Sequence, residues 1–157
     1  MKILYICTHN RCRSILSEAI TNQLADWAIE ARSAGSQPVG EVHPLSLRYL
    51  KEKGYPTNDL TSQSWDDFED FEPDVVITVC DSAAGESCPV YFGKSCKVHW
   101  GLADPSKVEG SEETISRAFD ECIHEIENRV SKLVTIARHC NSRESLQAAL
   151  CQAGAQA

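Results

Sequence analysis

The sequence predicts a doubly wound α/β domain: a flavodoxin-like four-stranded parallel sheet with helices on both faces. Three observations carry this reading. Short apolar runs of β-forming residues alternate with segments of helical spacing, the pattern of a parallel sheet covered on both sides. Only four runs qualify as strands, too few for a full dinucleotide-binding sheet. The 157 residues, 42% hydrophobic and 24% charged, suffice for one domain with a real core.

The elements run in order along the chain. Lys2-Ile3-Leu4-Tyr5-Ile6 is the first strand. It stops at the polar loop Cys7-Thr8-His9-Asn10-Arg11-Cys12-Arg13-Ser14, after which Ile15, Leu16, Ala19, Ile20 and Leu24 take up helical spacing as far as about Trp27. Residues 29–34 read as a second strand closed by Gly35. Helix two begins near Pro44, carries Leu45, Leu47 and Leu50, and ends at Gly54. Residues 55–61 form a connector with at most a short extended piece. The acidic stretch from Trp65 to Phe71 is one or two helical turns, stopped by Pro73. Asp74 to Cys80 is the clearest strand, nearly all apolar and so expected at the centre of the sheet. Asp81 to Gly93 is a long loop, of the kind that tends to serve function in a compact domain. Cys96 to Trp100 returns as a strand, and Gly101 to Pro105 is again loop. Ser111 then caps a long helix, with Glu112 and Glu113 in its first turn and an apolar stripe of Ile115, Phe119, Cys122, Ile126, Val130, Leu133 and Ala137. Residues 1–140 make a single domain. Residues 141–157 are a tail, a short extra helix or a frayed end, with Leu146 and Leu150 one turn apart.

A net charge of −8 argues against nonspecific binding to nucleic acid or to an anionic membrane surface. No run is apolar for long enough to span a bilayer, and the first strand carries no signal-peptide core, so the expected compartment is the cytoplasm. Eight cysteines are many for this length: Cys7, Cys12, Cys80, Cys88, Cys96, Cys122, Cys140 and Cys151. In a reducing compartment they are not a static disulfide framework. They serve as metal ligands, redox groups or buried filler. No Cys-x-x-Cys pair exists, and the strand between Cys96 and His99 would aim those side chains apart, so no metal is expected.

The loop after the first strand is built for an oxyanion. Its backbone N–H groups can turn inward as a nest, and the helix N-terminus adds partial positive charge. Thr8, His9, Asn10, Arg11 and Cys12 supply that lining. Arg13 offers a planar charged fork to two oxygens of a tetrahedral anion. Cys7 lies beneath, where the same field is expected to lower its pKa and hold a thiolate, and Ser14 is placed to donate to its sulfur. Asn10 suits a left-handed turn within the loop. Ligands of such sheets bind at the carboxyl ends of the strands. Cys7, Cys80 and Asp104 all come directly after strands and should share that edge, where Asp104 could protonate a departing oxygen.

This Cys-x5-Arg loop resembles that of the low-molecular-weight protein tyrosine phosphatases and of the arsenate reductases that share their fold. His99-Trp100-Gly101-Leu102-Ala103-Asp104-Pro105 resembles the Trp-Gly-x-x-Asp-Pro segment of the reductases. Thr78-Val79-Cys80-Asp81 and Ser87-Cys88-Pro89 stand where the thioredoxin-coupled, three-cysteine reductases carry their second and third thiols. Ser33-Ala34-Gly35 and Val42-His43-Pro44 also look like that family's segments. The likeness covers roughly residues 1–135.

It implies reduction of arsenate to arsenite by a thiol relay, serving arsenic detoxification. Cys7 attacks arsenate while Asp104 protonates the leaving oxygen. Cys80 attacks Cys7 and expels arsenite, and Cys88 moves the disulfide outward to an external reductant. That reductant is thioredoxin, or glutaredoxin with glutathione; no cofactor is tightly bound, phosphate and sulfate would compete with arsenate, and the protein would be a monomer. The spacing from Cys80 to Cys88 is slightly longer than in well-known members. Some relatives hold potassium beside the loop through an Asn, a Glu, a Ser and an Asp. Asn10, Glu18 and Ser33 match, but no Asp stands near Ser62 to Trp65, so the potassium set is incomplete. Two other readings stay open. One is a phosphatase that hydrolyses aryl phosphates through a Cys7 phosphocysteine, although Ser106 and Lys107 are not the aromatic residues that come after the phosphatases' acid. The other is a catalytically idle anion-binding or redox-sensing module with a Cys7–Cys12 disulfide.

Overall fold

The structure, a computed structural model, describes residues 1–25, 28–80, 93, 95–140 and 142–156. Four strands, β1 (Lys2–Ile6), β2 (Glu30–Ala34), β3 (Val75–Thr78) and β4 (Cys96–His99), form one parallel sheet in the order β2-β1-β3-β4. The helices are α1 (Arg13–Leu24), α2 (Pro44–Glu52), α3 (Glu112–His139) and α4 (Arg143–Gln156). Short 3-10 helices cover Trp65–Phe71 and Pro105–Lys107. This is the α/β arrangement that the sequence predicts, with β1 and β3 in the interior of the sheet.

Continuous apolar runs make those two strands central. Ile3, Leu4, Ile6, Val75, Val76 and Ile77 are buried, whereas β4, at the edge, alternates buried Cys96 and Val98 with exposed Lys97 and His99. The register pairs Ile6 with both Ala34 and Thr78, and Thr78 with His99, so the strand exits lie side by side. The Cys7 loop, Cys80 and the segment leading to Asp104 each continue from one of these exits, and all three therefore gather at one edge of the sheet.

The structure sharpens several of the expected elements. Helix α1 ends at Leu24, where the N–H of Ala25 still bonds to Thr21 O; the predicted extension to Trp27 runs into residues outside the described set. Residues 55–61 contain no strand. The acidic stretch is a 3-10 helix closed by a capping box between Ser64 and Asp67. The tail is a helix: α4 lies on β4, Leu150 is fully buried, and its carbonyl accepts the Trp100 indole N–H at 3.2 Å. The long loop after Cys80, with Cys88 in it, falls outside the described residues except for Gly93. Among the described residues, no helix is long and apolar enough to cross a membrane.

Candidate active site

The nest is shaped from behind. Thr8, His9 and Arg11 turn their carbonyls outward, where they accept the N–H groups of Gln37 (2.9 Å), Val39 (3.2 Å) and His43 (2.9 Å). Ser62 Oγ adds a second donor to His9 O at 3.2 Å. In a trans peptide the carbonyl and the next N–H point in opposite directions, so fixing the carbonyls outward turns the next N–H groups to the other side. One of these, from His9, bonds to the Cys7 sulfur. Asn10 takes the left-handed turn at φ 47°. It is fully buried; its amide donates to Ser14 Oγ at 2.8 Å and accepts the Gln63 N–H at 2.7 Å. Gly35 presses on the back of the loop. A Cβ there would lie 2.8 Å from Cys7 O and closer still to Thr8 O, which no real side chain tolerates.

Arg13 opens α1 with its guanidinium over the loop. One terminal nitrogen donates to Leu102 O at 3.0 Å and the other meets Asp104 Oδ2 at 3.4 Å. Its Nε is buried with no hydrogen-bond partner among the described residues, a donor still to be satisfied. Asp104 in turn caps the Pro105–Lys107 helix, its Oδ1 accepting Ser106 N–H at 3.0 Å and Ser106 Oγ–H at 2.6 Å. Turn-forming and site-lining roles thus coincide in one carboxylate.

Cys7 and Cys80 share a hydrogen bond. Cys80 also accepts Thr8 N–H at 3.4 Å, and both thiols are buried. This corrects the expectation of a depressed Cys7 pKa: the thiol is held above the ordinary cysteine range. The hydrogen bond to Cys80 is the largest cause, with burial next and then negative charge on Cys80; Arg13 and the His9 N–H pull the other way without prevailing. Ser14 Oγ accepts from Asn10 at 2.8 Å, which leaves its own proton free to donate; a bond from it to the sulfur is not among the described contacts.

Cys12 is turned away from that pair. It is buried, its thiol contacts Ser46 on α2, and burial pushes its pKa up to about 11. Cys88 lies outside the described residues. Of the three residues that match the potassium set, Ser33 Oγ donates to Glu18 Oε1 at 2.6 Å, and Asn10 Oδ1 accepts from Gln63. The described residues hold no cluster of three His, Cys, Asp or Glu able to bind a metal.

Sequence reasoning missed two parts. The backbone of residues 37–43 carries no residue-type signal, because it acts through N–H groups. Arg129, 7% exposed, donates to Trp100 O at 2.8 Å and Gly101 O at 2.9 Å behind Asp104; as a charged residue beside an apolar stripe it reads as solvated. Its only sequence signal is its place one position before Val130.

The family model for low molecular weight phosphotyrosine protein phosphatase matches residues 2–148. A protein named arsenate reductase from Halalkalibacterium halodurans is 33% identical over 128 residues, 82% of this chain and 91% of its own length. One of the same name from Staphylococcus xylosus is 36% identical over 128 residues, 80% of this chain and 93% of its own. Among solved structures, a thioredoxin-dependent arsenate reductase from Corynebacterium glutamicum matches with a TM-score of 0.66 at 34% identity. That match covers 87% of this chain, which spans 61% of the other.

Proposed function

Because the chain belongs to the low molecular weight phosphotyrosine protein phosphatase family, and its relatives include proteins named arsenate reductase, we propose that it reduces arsenate to arsenite. The observation that carries this reading is the contact between the Cys7 and Cys80 thiols at the floor of an anion nest. Hydrolysis of a phosphate ester needs one nucleophile and an acid. Reduction of arsenate needs two electrons, and two thiols becoming a disulfide supply them.

Arsenate enters the nest and takes hydrogen bonds from the loop N–H groups and Arg13. Its oxygens compete with Asp104 for the guanidinium and satisfy the unpartnered Nε. Cys7 loses its proton and attacks arsenic, and Asp104 protonates the leaving oxygen, which departs as water. Cys80 then attacks the Cys7 sulfur. The sulfur–arsenic bonding pair goes to arsenic, which leaves as arsenite, and a Cys7–Cys80 disulfide remains. Cys88 attacks Cys80, returns Cys7 as a thiolate and carries the disulfide into the loop after β3. A dithiol of the thioredoxin type reduces it there, in a reducing compartment such as the cytoplasm.

The test is arsenate with thioredoxin, thioredoxin reductase and NADPH, with nicotinamide oxidation and arsenite both measured. Matched consumption and release support the reading. Aryl phosphate hydrolysis without arsenite production would replace it with a phosphatase acting through a Cys7 phosphocysteine.

A further inference from the structure

The segment from Trp100 to Asp104 has no regular structure until Pro105, yet it is held at every step. Trp100 N–H bonds to Thr78 O at 2.8 Å and Leu102 N–H to Val79 O at 2.9 Å, the last residues before Cys80. On its other side two guanidiniums take three successive carbonyls: Arg129 those of Trp100 and Gly101, Arg13 that of Leu102. Arg129 is fixed in turn by Glu125 at 2.7 Å and sits 5.9 Å from the centre of the Trp100 ring. Successive carbonyls of an extended chain point in opposite directions. One planar fork nevertheless reaches both, so Arg129 fixes the backbone of Trp100 and Gly101, and Arg13 that of Leu102, two residues before Asp104.

We infer that Arg129 is a positioning residue: it fixes the backbone at Trp100 and Gly101 so that Asp104 meets the leaving oxygen while Arg13 holds the anion. The inference rests on the reductase reading for its substrate. It acts through Asp104 and not by contact with arsenic. A lysine has the charge but a point-like head, so it cannot hold two carbonyls in one plane.

The test is a double-mutant cycle of Arg129→Gln with Asp104→Asn, run well below the melting temperature of each variant. It measures single-turnover arsenite release and, in parallel, aryl phosphate hydrolysis, which also needs a protonated leaving oxygen. Arg129→Gln should lower the rate constant about tenfold or more and flatten the alkaline limb of the pH profile, as Asp104→Asn does. Added to Asp104→Asn it should cost less than about twofold further. Arg129→Lys should recover part of the loss. An equal penalty in both backgrounds, or a wild-type rate for Arg129→Gln, overturns the inference. If Arg129→Gln does not fold, Arg129→Lys carries the same cycle. A wild-type protein that hydrolyses aryl phosphate but yields no arsenite would sink the reductase reading, while the second reaction still judges Arg129.

Discussion

Arg13 and Asp104 face each other at 3.4 Å, so the group proposed to clamp the oxyanion and the group proposed to protonate it restrain one another. An arriving anion has to separate them in part. The carboxylate is therefore a competitor for Arg13 as well as the proposed proton source.

Removing its charge should divide the two roles. Asp104→Asn is expected to bind inorganic phosphate at least as tightly as wild type, because Arg13 is freed. It should slow the arsenic-adduct step by about 10²–10³-fold through loss of the acid. Calorimetric titration with phosphate and rapid-quench single turnovers measure the two effects; weaker phosphate binding would contradict the competition.

Cys80 sets the ionisation of Cys7. In Cys80→Ala the hydrogen bond that helps hold the Cys7 proton disappears, and the Cys7 pKa should fall. The pH dependence of Cys7 alkylation, measured by mass spectrometry, reports it. An unchanged or higher value would mean that burial, not Cys80, holds the proton.

The thiols should also separate by stoichiometry. Cys7→Ser should abolish arsenate reduction, and Cys12→Ser should keep most of it, because Cys12 is turned to Ser46. Cys88→Ser should release about one arsenite per enzyme and stall as a Cys7–Cys80 disulfide, slowly relieved by excess small thiol. Cys80→Ser should give no net reduction. Full-rate turnover of Cys88→Ser with thioredoxin would remove Cys88 from the relay.

Gly35→Ala should damage the nest without touching a substrate contact. The added methyl meets Cys7 O and Thr8 O, both backbone, so the loop itself must shift. A loss of about 1–3 kcal/mol in stability is expected, with weaker phosphate binding. Thermal unfolding with and without phosphate tests it; a variant of wild-type stability and affinity would show that the loop can give way.

Glu18 gives the stability a pH dependence. Burial pushes its pKa from 4.5 up to about 7 against the opposing pull of the Ser33 hydrogen bond and Arg32. The native state holds this proton more tightly than the unfolded chain does. The contribution is fully present below about pH 4.5 and lost as pH rises through 7, on the order of 3 kcal/mol. Glu18→Gln keeps an acceptor for Ser33 and cannot ionise, so it should raise the melting temperature at pH 8 and leave it near wild type at pH 5. Equal shifts at both values would exclude the carboxyl as the source.

Strand composition and strand-to-loop order made much of this legible. Val75 to Thr78 reads as an interior strand because both its faces are apolar, and Cys7, Cys80 and Asp104 share an edge because parallel strands exit on one side. Asn10 was legible because few residues tolerate its turn. The ionisation of Cys7 was not, since it depends on the nearness of Cys80, which lies 73 residues further on. The support from Gln37, Val39 and His43 was hidden for another reason: main-chain donors are the same in every residue but proline. Arg129 escaped because a buried guanidinium is recognised by the carbonyls around it.

The hydrogen bonds that shape the Cys7 loop come from residues up to 63, and Arg13 finds its partners 89 and 91 positions downstream. During synthesis the nucleophile therefore leaves the ribosome long before the residues that enclose it. At ~5–20 residues per second the interval is on the order of 5–20 s. Over that time Cys7 and Cys12 belong to an unfolded segment, open to oxidants and to each other. The mature thiol is shielded by its fold, and the nascent one relies on the reducing state of its surroundings.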